Sequence, residues 1–193
     1  MSAAAAFYPL CTYIFNDDDF DPLLWLNVMM GIKSDNIQTV LDVNFARTLN
    51  IFSRQTWVYT GFNTVIINGN NSHIYASTSV SSKYTWADIA EEATFIISNL
   101  TIAQYNRAKF NHGTCILNNV HFDSNRMDYW FEKDYGAAIY NAGYCVCNNC
   151  SFTNSYAKYG AAIFNAGILT LENCTFSGNY AYNHGNDVLN VGD

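Results

Sequence analysis

Residues 144–152 read Tyr144-Cys-Val-Cys-Asn-Asn-Cys-Ser-Phe152, with apolar side chains at 145, 147, 150 and 152. Each pair keeps the two-residue period of a strand, and the phase shifts by one residue across Asn148-Asn149. One face stays inward through such a stretch only if the backbone turns at the asparagines. The frame returns in Thr114-Cys-Ile-Leu-Asn-Asn-Val-His-Phe122 and in Ile168-Leu-Thr-Leu-Glu-Asn-Cys-Thr-Phe176, and more weakly in Thr94-Phe-Ile-Ile-Ser-Asn-Leu-Thr-Ile102. The starts at 94, 114, 144 and 168 lie 20, 30 and 24 residues apart. A second block precedes the later copies: Gly136-Ala-Ala-Ile-Tyr-Asn-Ala-Gly143, Gly160-Ala-Ala-Ile-Phe-Asn-Ala-Gly167 and a degenerate form ending Asn111-His-Gly113. Gly185-Asn-Asp-Val-Leu-Asn-Val-Gly192 repeats it once more.

A unit of this size, made of short strands and small-residue turns, cannot bury a core alone, so its copies must stack. The expected fold is all-β, a parallel β-helix. Stacking at about 4.8 Å sets equivalent residues above one another. Cys115, Leu117, Val120 and Phe122 then lie in the inward columns of Cys145, Cys147, Cys150 and Phe152, and of Leu169, Leu171, Cys174 and Phe176. Two polar columns follow: Asn99, Asn119, Asn149 and Asn173, and then Asn111, Asn141, Asn165 and Asn190. Stacked amides can bond along such ladders. Gly143, Gly167 and Gly192 are expected to adopt positive φ.

The wording of these blocks resembles the right-handed β-helix repeats of archaeal (methanogen) adhesin-like surface proteins and the related polymorphic outer-membrane proteins, in which GGAIxN…G precedes a strand and NCTFxxN. The resemblance covers residues 94–193 and fades upstream; Ala137 and Ala161 stand where the family has its second glycine. It implies a right-handed β-helix, a cell-surface or secreted location and an adhesive role.

Upstream, Asn63 to Ile74 reads as an earlier rung, with strands at Trp57-Val-Tyr59 and at Ile37 to Phe45 before it. Asp21-Pro22 followed by Leu23 to Met30 and Gly31 predicts a short helix, with Asp as N-cap and Pro at the first helical position. The expected organisation is a segment 1–35 whose helix caps the solenoid, then a β-helix over 36–193. Asn190 to Asp193 stops where a further strand would begin. End-to-end contact with a second copy, or a longer solenoid, is therefore expected, because an open rung is a pairing edge.

Composition limits the function. The chain has 193 residues, a net charge of −7 and only 13% charged residues, against about 25% in a typical domain. Nine Lys and Arg along the chain form no basic face for nucleic acid. No apolar run approaches the roughly 20 residues of a membrane-spanning helix. Cys145, Cys147 and Cys150 fall at inward positions where Leu or Val sits in other copies, so core filling outweighs a metal site. Free thiols are favoured over bridges between the column neighbours Cys115/Cys145 and Cys150/Cys174. No cofactor or metal is expected. Of the sequons at Asn70, Asn99, Asn149 and Asn173, the last three lie in the ladder column and follow from the repeat, and all four are read as coincidental.

Catalysis finds little support. The outward columns Ser98, Asn118, Asn148, Glu172 and Thr101, His121, Ser151, Thr175 contain no carboxylate pair, and no histidine has a partner at catalytic spacing. The 30-residue repeat is the anomaly, with six more residues than the 24-residue copy between Phe122 and Gly136. Asp128, Tyr129, Trp130, Glu132, Asp134 and Tyr135 lie there; the equivalent turns bring Tyr156 and Tyr159, then Tyr180 and Tyr182. Solenoid insertions often lie on a binding face, and rings beside carboxylates suit sugars. Packing of these rings over the rung edges weighs equally. The function expected is a non-enzymatic surface binding module for glycan or a partner cell, without nucleic-acid partner or membrane span. A polysaccharide-active enzyme or tailspike-like protein is the alternative.

Overall fold

The computed structural model describes residues 10–15, 40–45, 47–48, 50–52, 57–58, 64–76, 85–127 and 134–193. It shows an all-β solenoid of stacked parallel strands. Leu10–Phe15, Val40–Phe45, Thr64–Tyr75, Thr94–Ala103, Thr114–Asp123, Tyr144–Asn148 and Ile168–Glu172 follow one another in the largest sheet. A second sheet stacks Trp57–Val58, Thr85–Ile89, Arg107–Asn111, Ile139–Asn141, Ile163–Asn165 and Val188–Asn190. A third pairs Tyr156–Tyr159 with Tyr180–His184, and bridges from Arg126 to Tyr156 and from Tyr135 to Tyr159 extend it.

The expected register holds: Thr94 pairs with Thr114, Thr114 with Tyr144 and Tyr144 with Ile168. Strands also occupy Leu10–Phe15 and Thr85–Ile89, which carry no recognisable copy of the repeat. Leu10–Phe15 pairs with Val40–Phe45 residue for residue, so the sheet reaches into the segment before residue 36. The helix expected over 22–30 lies outside the described residues, and no described residue is helical.

Left-handed corners bend the rungs, three in each rung from Thr114 onward. Asn99, Asn119, Asn149 and Asn173 hold φ between 51° and 56° at the first, where the inward phase shifts. Asn enters this region at lower cost than other side chains. Gln104, Ser124, Asn154 and Gly178 make the second corner, and Gly136, Gly160 and Gly185 the third. The positive φ expected of Gly143, Gly167 and Gly192 thus belongs to the other glycine of the block. Gly143, Gly167 and Gly192 are needed for a different reason: a Cβ on each would sit 2.2, 2.1 and 2.3 Å from the carbonyl oxygen of Gly113, Gly143 and Gly167 in the preceding rung.

Inside, Cys115, Leu117, Cys145, Cys147, Phe122 and Phe152 are fully buried. Phe122 and Phe152 stack with centroids 5.2 Å apart and planes 2° from parallel, and Phe176 continues the pile at 5.0 Å from Phe152. In the rung of residues 168–176 the inward Leu169, Cys174 and Phe176 are only partly buried, packed against the core from one side. A smaller cluster of Met127, Ala137, Ala157, Ala161 and Ala181 fills the space behind the third sheet. The six extra residues of the long repeat lie between two fixed pairings: Arg126 with Tyr156 (156 − 126 = 30) and Tyr135 with Tyr159 (159 − 135 = 24).

The thiols of Cys115, Cys145, Cys147, Cys150 and Cys174 are free. Cys150 donates to the Leu117 carbonyl at 3.6 Å and Cys174 to that of Cys147 at 3.3 Å, one rung back in each case. Contact with the Cys145 and Cys150 thiols, and then burial, pushes Cys147 well above the usual thiol range. Thiolate is the reactive form, so Cys115, Cys145, Cys147 and Cys150 should resist iodoacetamide in the native protein at neutral pH. All should alkylate in denaturant without reductant. Mass spectrometry reads both states, and bridges would show as thiols that label only after reduction.

Candidate functional site

The two Asn columns differ in chemistry. The Asn111 side-chain amide donates to Asn141 Oδ1 at 2.7 Å, Asn141 to Asn165 Oδ1 at 2.6 Å, and Asn165 to Asn190 Oδ1 at 2.6 Å. Asn111, Asn141 and Asn165 are fully buried. Their amides also reach main-chain oxygens at the return turn, such as Tyr144 for Asn111 and Ile168 for Asn141. In the corner column Asn119 donates to Asn99 Oδ1 at 2.9 Å, and Asn99 to Asn68 Oδ1 at 3.1 Å. Asn149 and Asn173 keep that column's backbone and are exposed.

Sequence reading overlooked a third set. Asn125 Oδ1 accepts from the Tyr105 main-chain N–H at 3.1 Å, and its amide donates to the Ile102 carbonyl. Two repeats on, Asn179 Oδ1 accepts from the Ser155 N–H at 2.9 Å, and its amide reaches the Phe152 carbonyl and Asp187. Both are buried and satisfy corner groups that lie off the strand ladders. The signal was the last asparagine of the NCTFxxN pattern, which Ser155 interrupts in the middle copy.

The tyrosine face divides in two. Tyr135 packs against Phe164 at 4.6 Å, Tyr159 at 5.3 Å and Tyr140 at 6.5 Å between centroids, and Tyr140 stacks on Phe164 at 5.4 Å. These half-buried rings close the corner between the second and third sheets. Tyr156 stacks on Tyr180 at 5.5 Å, and the Arg126 guanidinium lies 4.6 Å from the Tyr156 ring centroid, a cation–π distance. Tyr180 and Tyr182 face outward, 52% and 58% exposed. Asp134, expected beside a ligand, is buried at 2% exposure: the chain carries it under the face. Asp128, Tyr129, Trp130 and Glu132 lie outside the described residues.

On the opposite arm of the largest sheet, His121 does find partners. Its Nδ1 meets Ser151 Oγ at 2.5 Å and its Nε2 lies 3.5 Å from Thr153 Oγ1. Thr153 donates to Asp123 Oδ1 at 2.6 Å, Asn154 Nδ2 to the same oxygen at 3.0 Å, and Ser124 Oγ to Oδ2 at 3.1 Å. Partial burial alone would raise the Asp123 carboxyl, but these three hydrogen bonds and the neighbouring His121 outweigh it and hold it below the usual range. Asp123 is thus an ionised acceptor at neutral pH.

Comparison of the chain with family models, with curated proteins and with solved structures finds no match. Among the described residues no three His, Cys, Asp or Glu side chains gather as a metal site. No described helix is long and apolar enough to cross a membrane.

Proposed function

We propose that this β-helix is a non-enzymatic binding module of the adhesin-like kind, displayed at a cell surface and contacting glycan or a partner cell through its tyrosine face. The observation that carries this reading is the outward pair Tyr180 and Tyr182, held by the stacking of Tyr180 on Tyr156. A fixed ring loses little conformational freedom on binding, and its apolar surface suits the axial C–H face of a sugar. The half-buried Tyr135 and Tyr159 support the platform from behind.

The test is a glycan array probed with the wild-type chain and the double variant Tyr180→Ala, Tyr182→Ala. Binding should fall at least about tenfold, because exposed aromatic anchors dominate small interfaces. Thermal unfolding should move little, since both rings are mostly in water. Equal binding by both chains would sink the proposal. The enzymatic alternative draws its support from the His121–Ser151 contact; release of reducing ends from mixed polysaccharides would favour it instead.

A further inference from the structure

The outer surface of the largest sheet, beyond the asparagine corner, has an open cavity of about 420 Å³ lined by His73, Tyr75, Thr101, Ala103, Gln104, His121 and Asp123. Register explains its shape. His73, Thr101 and His121 form one outward column, and Tyr75, Ala103 and Asp123 the next. In both columns the middle rung carries the small residue. Thr101 and Ala103 therefore make a floor one rung deep, with His73 and Tyr75 as one wall and His121 and Asp123 as the other.

We infer that this slot binds one pyranose unit of a glycan, at a place separate from the tyrosine face. The walls belong to rungs two steps apart, about 9.6 Å at the usual strand spacing. A flat ring sandwiched at van der Waals distance needs only about 7–8 Å from wall to wall, so a planar aromatic ligand would be loose there. A puckered ring with projecting hydroxyls fills the difference. Both His121 nitrogens turn toward Ser151 and Thr153, which leaves ring carbon for the slot and an apolar surface for the sugar.

The polar complement fits hydroxyls as well. Asp123 Oδ2 accepts from Ser124, and a carboxylate oxygen has room for a second donor. The His73 ring makes no hydrogen bond among the described residues, is exposed, and offers both a donor and an acceptor when neutral. Thr101 and Gln104 add hydroxyl and amide groups at the floor. An anionic ligand would meet the Asp123 carboxylate, so the chemistry favours a neutral sugar.

The test is a nuclear magnetic resonance titration of the labelled chain with the methyl glycosides of mannose, galactose, glucose and N-acetylglucosamine. At least one should shift signals of His73, Thr101, Ala103 and His121 together, with a Kd on the order of 1–10 mM, as befits so small a ligand. Ala103→Phe fills the floor and should abolish the shifts. His73→Ala, at an exposed site, should weaken binding at least about threefold, the loss of one modest contact. The double variant Tyr180→Ala, Tyr182→Ala should leave these shifts unchanged, which separates the slot from the tyrosine face. No movement at these four residues with any of the sugars up to about 50 mM, well above that Kd range, would overturn the inference. So would shifts that survive in folded Ala103→Phe.

Discussion

Asn141→Ala is expected to remove about 3–6 kcal/mol of stability, two or three buried groups each losing a partner at about 1–3 kcal/mol apiece. Asn141 is fully buried. It accepts from Asn111 and donates to Asn165 and to the Ile168 carbonyl. Alanine removes one of two donors to Asn165 Oδ1, leaving the Gly167 N–H at 3.3 Å, and one of two acceptors of the Asn111 amide, leaving the Tyr144 carbonyl at 3.1 Å. Against a typical total of roughly 5–15 kcal/mol, this places the variant near the threshold of folding. Asn190→Ala is the internal control: Asn190 is exposed and accepts one ladder bond, so the loss should be about 1 kcal/mol. Urea unfolding followed by circular dichroism measures both. Equal midpoints for the two variants would mean that the ladder does not act as a buried unit.

Gly143→Ala should do at least as much damage by a different route. The new methyl would sit 2.2 Å from the Gly113 oxygen and 2.5 Å from that of His112. Both belong to backbone already paired in the rung below: the Gly113 carbonyl accepts from the Tyr144 N–H at 2.9 Å. Relief requires the rungs to part, which breaks bonds on either side, so the variant should lose more than about 4 kcal/mol and fail to accumulate as folded protein. Gly178→Asn tests the contrast. Gly178 has φ of 67°, and the nearest atom to an added Cβ is the Asn154 side-chain oxygen. Asn154 itself holds φ of 54° one rung earlier. Its cost should stay below about 1 kcal/mol, as for other tolerated surface changes. A soluble Gly143→Ala with a wild-type melting curve would refute the close-approach account.

The sequence shows the solenoid because inward columns force a period on the chain. Cys145, Cys147, Cys150 and Phe152 cannot all face a core unless the backbone turns at Asn149, and the repeats then fix the pairing from Thr94 onward. Thr85–Ile89 escaped because Trp86 and Ala87 are adjacent and both buried, which violates strand alternation. The glycines were assigned the wrong constraint: φ at Gly143 is not positive, and the crowding that excludes a side chain comes from another rung. The slot was illegible for a related reason. Thr64 pairs with Thr94, 30 residues on, but Ser72 pairs with Leu100, only 28 on. Two residues are taken up at the corner, where Asn70 and Asn71 both hold positive φ, and only after that slip does His73 face Thr101. The tyrosines were visible as a cluster, but which rings pack and which face water depends on Tyr140 and Phe164, from a different sheet.

The long repeat absorbs its six extra residues between Arg126 and Tyr135, and the pairings on both sides keep their register. Length is thereby decoupled from architecture: a segment at that point can lengthen or change its composition without moving the phenylalanine pile or the buried amides. The scaffold can thus serve as a display frame, with a permissive window for foreign peptides between Arg126 and Tyr135.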